Sequence, residues 1–598
     1  MCGIYGTLQP SAPAAALAAA GSRAQALQAH RGPDQSGQLQ GPGWLLAHRR
    51  LSIFDPSEGG RQPLQRDDLV LVFNGAIYNY LELRTELEKA GHTFQTNTDS
   101  EVILAAFQAW GSACFARFNG MWALAILDTR SRRITLSRDR FGIKPLYLRR
   151  GPGQLTFASE PRAIRESDGL GSATDPTLAT EFLLHGWQDH RPQTLWQGIE
   201  QFPAATYRTY GLDHLTTLEE DVYYQLPTPG SLGLSLADFT ATLRHHLVES
   251  VRLRTRSDVG YCLTLSGGID SSGLAGIIHR ETSDAPKTFS ALFPGTPYDE
   301  TPYVKAVLRH TGLENVGYQP TWEQFKADLA ACQYHQDQPL ASAGVVGHYG
   351  LIRSIQGSGQ KVLLNGQGAD EIAGGYDKFY LPLLRQQFHS APLQALQNVS
   401  GYLRHHRWAG AKIRQRLGPA ASLPTLHRPG EAAGAPPFQR SPDATVYATS
   451  VNLLREVGLP SLLRHEDRNT MAFGVESRVP YLDYRVVDLL LAAPPAYKIR
   501  AGVRKFGLRQ ALHLYLPPEV LNRHDKLGFA TPQTEWMESH PDFFLGPIQT
   551  YCQLPGALLN TGAYNWCRGV LARRQRSHYG QVWRCWAWAV FLNHLPNF

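Results

Sequence analysis

The stretch Val259–Glu281, VGYCLTLSGGIDSSGLAGIIHRE, decides the architecture of the larger part of this chain. An apolar strand-like run meets a Ser-Gly-Gly turn, and a helical pattern follows. Backbone N–H groups in such a turn, with a helix N-terminus behind them, cradle an anion. Gly267 and Gly268 permit close approach, and Ser266, Ser271 and Ser272 add hydroxyl donors. The Gly-x-x-x-x-Gly-Lys-Ser/Thr pattern of a Walker A loop is absent, so no loop lysine steadies a γ-phosphate. Asp270 is placed instead to hold Mg²⁺.

Two further strands run into polar clusters. KTFSALF (287–293) leads to PGTPYDETPY, and QKVLLNGQGADEIAGGYDKF (360–379) places Asp370 and Glu371 beyond an apolar run. Successive strand–helix units whose strand ends gather polar residues predict a parallel α/β sheet. Asp270 and Asp370 pair as a two-carboxylate magnesium site. Asp370 also reads as a helix cap.

The first two hundred residues differ. Short apolar or alternating runs at 69–80, 121–128, 133–139 and 155–160 read as strands, with amphipathic helices at 79–91 and 98–111. The chain opens MCGIYG. Taken alone, Cys2 reads first as a small buried cysteine. Removal of Met1 would, however, set its thiol beside an α-amine of pKa about 8, giving nucleophile and base on one residue. A thiolate attacking an amide needs donors for the oxyanion, a cation for a substrate carboxylate and an anion for its ammonium. Asn74 with the Gly75 N–H, one of Arg49 and Arg50, and Asp99 supply these types, and glutamine is the substrate they suit. Singly, Asn-Gly is also a hairpin turn and Asp99 a helix cap.

The 598 residues exceed one core and predict two or three domains. A net charge of +7 is too slight at this length to indicate nucleic-acid binding, and it is concentrated in a Pro/Ala-rich basic stretch read as a mobile insertion at 401–445. Seven scattered cysteines with no CxxC pair suit a reducing compartment. Neither a signal peptide nor an 18-residue apolar run is present, so the expectation is a cytoplasmic protein acting on small molecules, away from membranes. The oligomeric state is left open, a homodimer included.

MCGIYG, HRGPD, RLSIFD, NGAIYN, TDSEVI, SRDRFGIKPLY and FASE resemble, in that order over residues 2–205, the class II glutamine amidotransferase domain. The resemblance implies an N-terminal-nucleophile sandwich (αββα) with Cys2 as glutaminase nucleophile. It further implies an oxyanion hole of Asn74 and Gly75, Asp99 on the glutamine ammonium and Arg50 on its carboxylate. The family's Asn-Gly-Glu reads Asn-Gly-Ala here, with Ala76 in place of the acid.

Downstream, SGGIDS resembles the loop of ATP pyrophosphatases. Together with RNTMAFGVESRVPYLD, RKFGLR and DKLGFATP it is similar to the glutamine-hydrolysing asparagine synthetases, nearly throughout except for 401–445. The implied organisation is a glutaminase domain at 1–206, a linker at 207–235, and at 236–598 an α/β parallel-sheet ATP-pyrophosphatase domain with a helical C-terminal part. The resemblance implies that Leu265, Ser266, Gly267, Gly268, Asp270, Ser271, Ser272, Gly366 and Gln367 bind ATP. Asp270 and Asp370 would take magnesium, Lys505 would stabilise phosphate charge, and Glu371, Glu476 and Asp483 would shape the acceptor side. The implied reaction adenylates a carboxylate, aspartate first among candidates, and displaces AMP with ammonia carried internally from Cys2. The family often has Gly-Glu-Gly where this chain has Gly366–Gln367–Gly368, and glutamine is no general base. That departure, with Ala76, keeps amidation of another carboxylate, in cell-wall or natural-product chemistry, as the alternative.

Overall fold

A computed structural model describes residues 2–405, 445–524 and 531–594. The expected insertion at 401–445 and the DKLGFATP segment lie largely outside the described residues.

Two six-stranded antiparallel sheets form the N-terminal part. The first contains β1 (Gly3–Leu8), β2 (Gln35–Gly41), β3 (Trp44–Arg50), β8 (Tyr147–Gly151), β9 (Gln154–Ala158) and β10 (Glu200–Gln201), in the order β10-β8-β9-β1-β3-β2. The second contains β4 (Leu64–Arg66), β5 (Leu69–Ile77), β6 (Gly120–Asp128), β7 (Arg133–Arg138), β11 (Thr206–Gly211) and β12 (Thr217–Val222), in the order β12-β11-β7-β6-β5-β4. Alternating side chains from both, among them Ile4, Leu8, Leu46, Val70, Val72, Ala123 and Ala125, interleave in one apolar layer. Helices Ala14–Leu27 and Asp99–Trp110 cover the outer faces, which makes the αββα sandwich. The expected boundary at 206 is corrected, because β11 and β12 extend the second sheet to Val222.

The C-terminal part is built on a five-stranded, all-parallel sheet. Its strands β13 (Tyr261–Thr264), β14 (Thr288–Ala291), β15 (Asn315–Tyr318), β16 (Val362–Leu364) and β17 (Glu476–Arg478) lie in the order β15-β14-β13-β16-β17. Helices lead from β13 to β14, from β14 to β15 and from β15 to β16, so strand ends that carry the chemistry face one way. The rest of the described residues is mostly helical, with a short antiparallel pair Ile499–Arg500 and Val503–Arg504, and ends in Tyr579–His594, whose Trp583, Trp586 and Trp588 are buried core. No helix among the described residues is long and apolar enough to cross a membrane.

The two parts meet through buried ion pairs. Arg31, wholly buried, donates to Asp467 at 2.8 and 3.1 Å and to Glu160 at 2.9 Å, while its Nε reaches the Cys2 carbonyl at 3.1 Å. Asn119 donates to Asp483 at 3.0 Å, and the Lys144 ammonium to the Ser477 carbonyl at 3.4 Å. Edge strand β17 thus abuts the antiparallel sandwich, with the Arg478 guanidinium over the rings of Phe54 and Tyr78.

Candidate active sites at Cys2 and at the Ser-Gly-Gly loop

Cys2 precedes β1 and is 7% exposed. Its backbone nitrogen donates to Asn74 Oδ1 at 3.0 Å. That bond fixes the Asn74 amide with Nδ2 on its other side, buried and without a hydrogen-bond partner among the described residues. An orphaned buried donor costs roughly 1–3 kcal/mol, so this atom beside the Cys2 thiol would gain from an arriving acceptor. Burial pushes the Cys2 thiol up, partly opposed by the Arg50 charge and a hydrogen bond from Leu51. To act as a nucleophile the thiol would need a base.

Asp99 heads helix Asp99–Trp110 but is not its cap, since Thr98 accepts from the Glu101 N–H. Instead the Asp99 carboxylate accepts from Ile77 N–H at 2.9 Å, and burial raises its pKa to about 7. A carboxylate this poorly solvated gains much from an arriving ammonium. Arg50 is buried with its guanidinium on the carbonyls of Phe54, Asp55 and Ser57 and on Gln35, at 2.6–3.1 Å. It organises the loop after β3, and its Nε makes none of these bonds.

In the second part, β13 runs into Leu265–Gly268 and helix Ile269–Glu281. Gly267 adopts φ +66°, and a Cβ there would lie 2.5 Å from that of Tyr303. The loop is tied internally: Ser271 Oγ accepts from Ser266 N–H at 3.1 Å, and Ser290 Oγ donates to the Leu265 carbonyl at 2.6 Å. Lys505 closes the site from far along the chain. Its Nζ is 2.7 Å from both oxygens of Asp270 and 2.6 Å from Asp370. Lys505 itself is buried at φ +54°, an uncommon conformation for a side-chain-bearing residue and a sign of functional constraint. Gly375, which no sequence signal singled out, lets the pair form, because a Cβ there would come within 1.8 Å of Asp370 Oδ1 and 2.5 Å of Lys505 Cε.

A cavity of about 1970 Å³ opens at the C-terminal ends of β13, β14 and β16. Leu265, Ser266, Asp270, Ser271, Gly366, Gln367 and Asp370 line it, whereas Gly267, Gly268 and Ser272 do not. Two adjacent carboxylates suit Mg²⁺, which takes one or two protein carboxylates and completes its shell with phosphates and water.

Three expected acceptor-side residues are not brought to this cavity. Glu476, on β17, pairs with Arg478 at 2.6 Å in the seam between the parts, where its charge acts on Cys2 and Asp99. Asp483 is fully buried, bound by Arg254 at 2.9 Å, Arg485 at 2.8 Å and Asn119, and caps helix Tyr484–Ala492. Those cations hold its carboxyl well below the usual range. Glu371 sits behind the wall and accepts from the Tyr376 hydroxyl at 2.6 Å. Glu476 and Asp483 were expected from GVESRVPYLD, and Glu371 from the segment after β16, yet each is held by partners inside the protein. Missed instead were His348, Glu466 and Asn469, which do line the cavity and whose helical spacing looks like any half-buried face.

Residues 1–224 match a family described as a glutamine amidotransferase domain, and residues 242–544 match asparagine synthase. A putative glutamine-hydrolyzing asparagine synthetase of Mycobacterium tuberculosis (strain ATCC 25618 / H37Rv) is 31% identical over 591 residues, covering 90% of this chain and 89% of that protein. Glutamine-hydrolyzing asparagine synthetase 1 of Bacillus subtilis (strain 168) is 30% identical, covering 85% and 83% respectively. Amidase chry2 of Gibberella zeae is 25% identical, covering 85% and 84%.

Proposed function

The chain belongs to the asparagine synthase family, carries a glutamine amidotransferase domain and is a glutamine-dependent, ATP-driven amidating enzyme; from that premise we propose that its acceptor is aspartate. The products would be asparagine, glutamate, AMP and pyrophosphate. The relatives named asparagine synthetase support this acceptor. The observation that carries the mechanism is Lys505 bridging Asp270 and Asp370 beside the Ser-Gly-Gly loop.

In this reading Met1 is removed and the nitrogen now bonded to Asn74 Oδ1 becomes an α-amine that takes the Cys2 thiol proton. The thiolate attacks the glutamine amide, with Asn74 Nδ2 and the Gly75 N–H holding the oxyanion. Asp99 holds the ammonium and Arg50 the carboxylate. Ammonia leaves the thioester cycle across the buried seam between the domains, where exclusion of water keeps it unprotonated.

At the second site, Leu265–Ser272 with Gly366 and Gln367 hold ATP. The aspartate β-carboxylate attacks the α-phosphorus, and pyrophosphate leaves. Lys505 stabilises negative charge on the phosphates. Asp270 and Asp370 would hold Mg²⁺, which when bound screens phosphate charge. Ammonia then displaces AMP. We place the enzyme in the cytoplasm, in keeping with seven cysteines of which none forms a disulfide.

A second reading, amidation of a larger carboxylate, is favoured by the cavity itself. Shared by ATP and the acceptor, the cavity has a volume of about 1970 Å³, about twice the roughly 1,000 Å³ upper end of single-ligand sites. The relative named amidase is consistent with it. The deciding experiment is pyrophosphate release with ATP, Mg²⁺ and glutamine, aspartate being compared with a panel of other carboxylates.

A further inference from the structure

Gln367 occupies the wall of the ATP-loop cavity, yet an amide cannot take the proton that ammonia must lose. Six carboxylates line that cavity: Asp270, Glu300, Asp370, Asp377, Glu456 and Glu466. Four are committed to a lysine or arginine. Asp270 and Asp370 share Lys505, Asp377 pairs with Arg504 at 2.9 Å and Glu300 with Arg523 at 2.8 Å. Glu456 is exposed at the end of helix Val446–Arg455 and accepts from Asn452 at 2.9 Å. Glu466 differs from all of these. It projects from helix Leu459–Met471, and among the described residues its one charge-bearing partner is a histidine: His348 Nε2 stands 3.4 Å from Glu466 Oε2.

The surroundings orient this carboxylate. Glu466 Oε1 accepts from Asn365 Nδ2 at 2.8 Å and from Ser477 Oγ at 2.9 Å. Asn365 in turn accepts from the Gln367 N–H at 3.0 Å, so Glu466 is anchored to the very loop that lacks an acid. The histidine tautomer is fixed from behind. Gln336 donates to Asn469 Oδ1 at 2.8 Å, which leaves Asn469 Nδ2 to donate to the Val345 carbonyl at 2.8 Å and to His348 Nδ1 at 3.0 Å. With Nδ1 accepting, a neutral imidazole carries its proton on Nε2, the nitrogen 3.4 Å from Glu466 Oε2. Asn365 and Ser477 thus hold the Glu466 carboxylate at the cavity wall, and among the described residues no lysine or arginine pairs with it.

Building on the acyl-adenylate reading above, we propose that Glu466, oriented by His348 and Asn365, is the general base of amide formation, a role displaced from position 367. Ammonia forms a C–N bond with the acyl carbon, and the nitrogen passes one proton to the Glu466 carboxylate. The carbonyl re-forms as the C–O bond to AMP breaks, AMP leaving with the electron pair. The products are the amide, AMP and a protonated Glu466 that returns its proton to water.

The test uses the full-length enzyme with ATP, Mg²⁺ and aspartate, and reads three activities: exchange of labelled pyrophosphate into ATP, amide formation from ammonium chloride, and glutamine hydrolysis. In Glu466→Gln, amide formation should fall about 10²–10⁴-fold, the usual worth of a general base, while exchange and glutamine hydrolysis persist. Adding Gln367→Glu to that variant should restore at least tenfold of the lost amide formation. Amide formation undiminished in Glu466→Gln overturns the proposal. So does a parallel fall of exchange and amide formation with glutamine hydrolysis intact, which would make Glu466 an acceptor-binding group. A double variant no better than the single one also contradicts it. Absence of carboxylate-dependent exchange in the unaltered enzyme would instead overturn the acyl-adenylate reading, and this proposal with it.

Discussion

Lys505 places its Nζ 2.7 Å from both carboxylate oxygens of Asp270, a residue 235 positions earlier in the chain. The same ammonium lies 2.6 Å from Asp370. One cation thereby ties the Ser-Gly-Gly loop, the end of β16 and the C-terminal helices into a single cluster. Two buried carboxylates so close would repel each other without it.

Lys505→Ala should cut carboxylate-dependent pyrophosphate release by at least about a hundredfold, the scale of losing one preorganised charge-stabilising group. Glutamine hydrolysis, carried by the other domain, should be unaffected. Both rates are measured on one preparation, and unchanged release removes Lys505 from the mechanism.

Cys2→Ala should abolish amide formation driven by glutamine and leave the ammonium-driven reaction within about threefold of the original, because only the source of nitrogen is lost. Comparing the two nitrogen donors decides it. Loss of both reactions contradicts two separate sites.

Asn74 Nδ2 is buried without a partner. Asn74→Ala should therefore lower kcat for glutamine hydrolysis about 10²–10³-fold, the measured scale for one oxyanion donor. KM should change far less. A fall in kcat/KM carried by KM alone would assign Asn74 to ground-state binding.

Burial raises the pKa of Asp99 to about 7. Below that pH the carboxyl is neutral and holds an ammonium poorly; above it the ionised form binds. KM for glutamine should accordingly fall as pH rises from 6 to 7.5 and then level off, while the substrate ammonium stays protonated. Asp99→Asn should give a high KM with no such slope. An unchanged slope in that variant places the titration elsewhere.

Asp483 is a structural ion-pair centre here. Asp483→Asn would leave Arg254 buried beside a neutral amide, a change of the class that costs about 3–5 kcal/mol. Denaturant unfolding should show that loss, while KM for the acceptor in the folded variant stays put. A selective rise in acceptor KM with unaltered stability would return Asp483 to the acceptor side.

Much of this was readable from local pattern. Strand, Gly-rich turn and helix at 259–281 fix a parallel unit because each step has a strong local signal, and β13 with its helix follows it closely. The continuation of the second sheet as far as Val222 was not legible because β12, Thr217–Val222, is a fully exposed edge strand with no apolar alternation to announce it. Glu476 and Asp483 are the two acids of the 468–483 motif, and only tertiary packing reveals that Arg478, Arg254 and Arg485 absorb their charge. Glu466 and His348 escaped notice for the converse reason. They lie on different helices, 118 residues apart by number, and meet only in three dimensions.

The most direct test of the account is the stoichiometry of the complete reaction with ATP, Mg²⁺, glutamine and each of a panel of carboxylates. The account predicts pyrophosphate, AMP and asparagine in equal amounts with aspartate, and no comparable release with the other acids. Silence with aspartate together with stoichiometric release on another carboxylate would contradict the proposed acceptor. ADP and inorganic phosphate in place of AMP and pyrophosphate would contradict the adenylation chemistry itself.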